Sequence, residues 1–194
     1  MNAGSDAVSD TQIDYNFRFT AGTALSVPLR SRMPGFELLA PPEAATVPWA
    51  KLEFHQCPNR PLDSRRVPHC PAALQLVALT QACAAFPSHE RIELTVTTSE
   101  RTVSQETTLQ RALGSLLGLM FAGSGCPHMH FFRPMARFHL PLASETETVY
   151  RAASMYLLSQ YFRAQRGQPV DLDLTGLTDI YRNVQIVNKG LAQR

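Results

Sequence analysis

The sequence predicts an α+β protein. An antiparallel β-sheet, made of an N-terminal hairpin and central strands, is packed by a helix in the middle of the chain and followed by a predominantly helical C-terminal half. Three observations carry this. Apolar and polar residues alternate over 14–29 and again over 92–96, the period of a half-buried strand. Apolar residues recur at three- and four-residue spacing over 109–121 and 177–191, the period of a helix packed on one face. Ser144-Glu145-Thr146-Glu147 has the reciprocal capping pattern that starts a helix.

Taken in order, the chain opens on a small, polar stretch, expected to be a disordered tail over 1–12, with one domain over 13–194. Met1 to Thr11 lacks the basic start and apolar run of a secretory signal. Tyr15, Phe17 and Phe19 alternate with Asp14, Asn16 and Arg18, and after Ala21-Gly22-Thr23 the pattern resumes with Leu25, Val27 and Leu29: a hairpin with one buried face. A proline-rich loop is expected at 30–48. Trp49 to Gln56 reads as a strand, with Leu52 and Phe54 on one face and Lys51, Glu53 and His55 on the other. Pro71 opens a helix to about Phe86, with Leu74, Val77, Ala78, Gln81 and Ala85 along one side and Cys83 as a small core residue. Ile92, Leu94 and Val96 form a strand, and 101–106 returns beside it across Ser99-Glu100, a turn without glycine.

Leu109, Ala112, Leu113, Leu116, Leu117, Met120 and Phe121 predict a helix stopped by Gly123 or Gly125, with Gly114 and Gly118 one turn apart as a point of close packing. The capped helix runs to Arg166 and stops at Gly167. Between Val149 and Phe162 it is apolar almost all round, so burial is expected on several sides, by its own domain or by a second subunit. Leu177, Ile180, Tyr181, Val184, Val187 and Leu191 form the stripe of a last helix. These two C-terminal helices offer a homodimer surface.

Charged residues are 18% of the chain and the formal net charge is +2, so no concentrated basic patch points to nucleic acid. Ala112 to Gly123 is the longest apolar run and is shorter than the roughly 18 residues of a membrane span. Four cysteines do not resemble a secreted disulfide scaffold, and the expected location is a reducing cytoplasm.

The chemistry gathers in two Cys/His segments, His55-Gln56-Cys57-Pro58 to His69-Cys70-Pro71 and Cys126-Pro127-His128-Met129-His130. Cys57, Cys70 and Cys126 each precede proline; with 14 prolines in 194 residues, chance gives roughly 0.3 such pairs. Proline extends the residue before it and so holds each thiol where a loop ends. If Pro71 or Pro127 starts a helix, the cysteine before it sits at the N-cap, where thiolate is favoured. On a continued strand, His55 and Cys57 would project the same way. The candidate metal ligands are Cys57, Cys70, Cys126, His69, His128 and His55, a set suited to zinc or, with an open position, to an iron–sulfur cluster. The spacing matches no standard zinc-finger or ferredoxin signature.

Two other readings use the same residues. Cys126 is a candidate nucleophile or redox thiol in a thiol-dependent enzyme, although nothing supplies an orienting third group. Alternatively, the chain is a non-catalytic homodimeric interaction protein whose Cys-Pro pairs shape loops or respond to haem. Arg133, Arg137 and His139, interleaved with Phe131, Phe132 and Phe138, form a candidate anion-binding edge; arginines packed over rings or paired to carboxylates are the alternative. No phosphate-cradling glycine loop or serine elbow names a reaction.

The run from Phe54 through His69-Cys70-Pro71, with Gly125-Cys126-Pro127 and Arg133-Pro134-Met135-Ala136-Arg137-Phe138-His139-Leu140-Pro141 ahead of Tyr156-Leu157-Leu158, resembles an uncharacterised bacterial domain family of unknown function. The resemblance brings no activity. It implies a Cys-x-x-Cys pattern in relatives, with cysteine where this chain has Arg60, and three cysteines here with room for a histidine or an external ligand.

Overall fold

A computed structural model describes residues 10–59 and 61–194. Its strands are β1 (Asp10–Phe19), β2 (Ala24–Arg32), β3 (Glu37–Leu38), β4 (Arg91–Thr97) and β5 (Thr102–Thr108), all antiparallel, in the order β3-β2-β1-β4-β5. Residues 10–12 thus belong to β1; the rest of the expected tail, 1–9, lies outside the described residues. β1 is the middle strand. Tyr15 stands opposite Val27 and Val96, and Phe17 opposite Leu25 and Leu94. Because strand side chains alternate, Ile13, Tyr15, Phe17, Phe19, Ile92, Leu94 and Val96 all reach one face and are buried.

The β4–β5 turn manages without glycine. The Thr98 hydroxyl accepts the amides of Glu100 and Arg101, and the Thr98 amide donates to the Arg101 carbonyl at 2.9 Å. β5 leads directly into α2 (Leu109–Gly123), capped by the Thr108 hydroxyl. α2 lays Leu109, Ala112, Leu116, Leu119 and Met120 on the buried face of the sheet. Each fully buried large side chain there contributes on the order of 1.5–3 kcal/mol of transfer free energy.

A second core lies beside the first. It joins α1 (Pro71–Cys83), short 3-10 turns at Pro42–Thr46, Pro48–Ala50 and Pro127–Phe132, and α5 (Thr175–Ala192) through Ala50, Leu52, Cys70, Ala73, Val77, Cys126, Met129 and Val187. The proline-rich stretch is therefore not all loop: it holds β3 and a 3-10 turn begun by Pro42.

Three expectations change. The strand at 49–56 does not form: Pro48 starts a 3-10 turn, Phe54 N–H bonds back to the Lys51 carbonyl, and His55 has a left-handed backbone with φ +40°. Leu52 is buried while Phe54 is exposed, which a strand face would forbid. α1 stops at Cys83, and the residues it buries are Ala72, Ala73, Gln75, Val77 and Leu79, of which only Val77 lies on the side that spacing selected. Its sequence is apolar on nearly every side, so periodicity had no face to choose. Phe86, past its end, stacks on Phe19 with ring centres 4.1 Å apart.

The third change concerns α4 (Glu145–Gln165), which follows the short α3 (Arg133–Arg137). The capping box is present, Ser144 and Glu147 exchanging bonds as the sequence predicts. Yet only Ala152, Tyr156 and Gln160 are buried, and Val149, Tyr150, Leu157, Leu158, Tyr161 and Phe162 face outward. The buried stripe is tied to the start of α5: the Tyr156 hydroxyl donates to Asp171 at 2.8 Å, and Asp171 accepts the Gly176 amide at 2.7 Å. Those bonds, the amide first, hold the Asp171 carboxyl below its ordinary range. Among the described residues no helix is long and apolar enough to cross a membrane.

Candidate functional site

Cys57, Cys70 and Cys126 arrive from separate segments and line one small space of about 30 Å³, together with His128, Leu52, Val187 and Arg194. Proline places two of them. Cys70 is the extended N-cap of α1, with Pro71 as first helical residue, and Cys126 is the extended N-cap of the turn begun by Pro127. Cys57 is brought in by α5: a Cβ on Gly190 would stand 2.7 Å from its sulfur, so only glycine lets helix and loop approach this closely. Asn59 fastens the same loop, donating to the Asn183 side chain at 2.8 Å while its carbonyl lies 2.7 Å from His128 Nε2. A carbonyl only accepts, so His128 Nε2 is the donor of this bond.

Arg194 closes the rim. Its terminal nitrogens donate to the carbonyls of Trp49, Lys51 and Leu52, while Nε is buried without a partner among the described residues. Burial pushes the Cys126 thiol up; the amides of His128 and Met129 pull it down, and Cys70 and Cys57 push it further up. The Cys126 thiol therefore senses the other two sulfurs. All four cysteines are free of disulfides, and Cys83 stays apart at the end of α1.

Not every expected residue joins. His55 is exposed and edge-on to Phe54, and His69 pairs by backbone with Lys51; neither lines the thiol pocket. Among the described residues no group of three or more His, Cys, Asp or Glu stands in metal-holding geometry. Arg60 lies outside the described residues. The proposed anion edge is dispersed. Arg137 pairs with Glu100 at 3.4 Å and lies over the Phe138 ring, Arg133 lies near Gly35, and His139 turns inward.

That inward turn marks a feature the sequence did not reveal. Tyr15 on the sheet, Ser115 on α2 and His139 form one hydrogen-bonded chain, which reaches the Leu142 amide through Ser115 at 2.9 Å. Burial pushes the Tyr15 phenol well above its ordinary range and the His139 imidazole down to about 4, so both are neutral near pH 7. The Leu142 amide donates to Ser115, and the Tyr15 hydroxyl bridges the Ser115 hydroxyl and Nε2 of His139. Ser115 and His139 also line a cavity of about 520 Å³ between α2 and the C-terminal helices. Tyr15 and His139 are 124 positions apart, beyond any local pattern.

The architecture defines an α+β protein with a small thiol-lined pocket and a larger, open cavity lined by apolar and cationic groups. The chain belongs to the family described as a domain of unknown function (DUF6901), whose family model matches residues 13–194. No curated protein and no solved structure matches the chain.

Proposed function

We propose that this protein binds a metal ion through Cys57, Cys70 and Cys126, with His128 as the fourth donor. What carries the reading is the convergence of three Cys-Pro cysteines on one space. Three thiolates in an apolar pocket repel one another, and a cation among them turns that repulsion into attraction. His128 is arranged as a metal-bound histidine usually is, one nitrogen held by a backbone carbonyl and the other free to coordinate. The space of about 30 Å³ is on the scale of one ion, which favours zinc over an iron–sulfur cluster. Closing the shell requires these side chains to move on loading. A thiolate site fits the reducing cytoplasm, where we place the protein.

Metal analysis and the visible spectrum of protein purified without oxygen test this beside Cys57→Ser, the most accessible of the three. Colourless protein with about one zinc per chain, lost in the variant, is expected. Metal-free protein that stays folded, with Cys126 labelled fast by iodoacetamide, overturns the reading in favour of a reactive thiol.

A second reading rests on α4. Its outward apolar residues form a face, its first turn holds Glu145 and Glu147, and its last holds Arg163. Two copies laid antiparallel bury the apolar face and set each acidic end against a basic one. We propose this homodimer, with Tyr150 and Leu158 near its centre. Sedimentation should give a dimer that Leu158→Glu converts to a folded monomer; a wild-type monomer at about 100 μM excludes it.

A further inference from the structure

The cavity between α2 and the C-terminal helices has two unlike ends. Along α2, Arg111 and Ala122 are eleven positions apart, about 16 Å at 1.5 Å per residue. Arg111 lies with Ser115, His139 and Arg151 at one end; Ala122, Met129 and Phe132 line the other. No Asp or Glu is among the described residues lining the space. The two guanidiniums are held by carbonyls rather than carboxylates: Arg151 donates to Met135 and Phe138 at 2.9 and 2.6 Å, Arg111 to Leu142 at 3.4 Å. Glu147, one turn before Arg151, accepts the Ser144 amide and attracts the Arg151 guanidinium through space, without lining the cavity. Each guanidinium has five N–H donors, so both keep donors for a further acceptor. His139 is neutral, and its Nε2 is occupied by Tyr15.

The wall between these ends is kept open by residues that fold stability does not ask for. Gly114 and Gly118 lie inside α2, and nothing stands within 4 Å of a Cβ built on either. Alanine would fit both and would favour the helix by roughly 0.5–1 kcal/mol each. Their absent side chains enlarge the cavity and serve no contact of the protein with itself.

We propose that this cavity binds a small amphipathic carboxylate, its apolar body along Gly114, Gly118 and Met129 and its carboxylate at Arg111 and Arg151. A planar carboxylate suits paired guanidinium donors, and a volume of about 520 Å³ is ordinary for a small-molecule pocket. The charged end selects against alcohols and amines with the same chain. The site is independent of the thiol pocket.

Octanoate, octanol and octylamine, titrated into the full-length protein carrying methyl-labelled methionine, test the assignment by NMR. Octanoate should shift the methyl signals of Met129 and Met135, which line the cavity, and leave Met155 on the outer helix in place. Gly118→Leu should fill the space and weaken octanoate by about tenfold or more, while Gly118→Ala, which keeps most of the space, serves as the folded control. Arg151→Gln should bring octanoate down to the affinity of octanol. Equal binding of octanoate and octanol by the native protein, shifts confined to Met155, or unchanged binding in a folded Gly118→Leu protein would overturn the proposal.

Discussion

β1 and α4 are both rich in large apolar residues, and they end in opposite situations. On β1, Ile13, Tyr15, Phe17 and Phe19 are buried, Tyr15 completely; on α4, Tyr150 is 72% exposed and Leu158, Tyr161 and Phe162 also face outward. A strand with alternating character has one face to bury, and α2 covers it. A helix that is apolar all round needs neighbours on every side, and this chain supplies one, the stripe of Ala152, Tyr156 and Gln160. Large apolar residues thus make a core in one place and a surface in the other.

The sharpest way to break the comparison is Tyr15→Ala against Tyr150→Ala in urea denaturation. The first removes a buried ring and orphans the Ser115 and His139 partners, and should cost about 3–5 kcal/mol. The second should stay within about 0.5 kcal/mol in the monomer, and a larger, concentration-dependent loss would mark α4 as a subunit interface.

The pH dependence of stability sharpens it next. His139 has a folded pKa of about 4 against an ordinary value near 6.5, so the unfolded chain binds more protons between these values. Its contribution is present above pH 6.5 and is lost as pH falls toward 4, by an amount on the order of 2–3 kcal/mol. Melting curves of native protein and His139→Gln should diverge in slope across that window, and parallel curves would remove His139 from the buried chain.

Gly190→Ala tests how tightly α5 presses on the thiol loop. The added methyl meets the Cys57 sulfur, and a loss of about 1–3 kcal/mol with displacement of the cysteine is expected, read by denaturation and thiol labelling. The smallest effect should be Thr98→Val, which deletes the hydroxyl that closes the β4–β5 turn and should lower stability by about 1 kcal/mol in the same denaturation assay.

Much of the fold was legible because its signals are local. The alternation in β1, β2 and β4, the Ser144 capping box and the stop of α2 at Gly123 each depend on neighbours within a few residues. The errors arose where local signals were ambiguous or overridden. Residues 49–56 alternate like a strand, but Pro48 and the turn at His55 send Ala50 and Leu52 into the core and leave Phe54 exposed. The site was legible in part. The Cys-Pro dipeptides flag the three thiols, whereas His55, expected beside Cys57 on a strand face, and His69, next to Cys70, lie outside the pocket. Nothing about His139, beside Phe138 and two arginines, foretold a bond to Tyr15.

The sequence by itself determined the α+β class, the main elements and the helix boundaries set by caps and glycines, since hydrogen bonding and side-chain period act over one or two turns. Tertiary structure decided that Cys57, Cys70 and Cys126 share a pocket, that Gly114 and Gly118 face a cavity, and that α4 shows its apolar side to solvent. Those outcomes depend on how elements far apart in the chain pack, and an apolar side chain carries no mark of which surface will cover it.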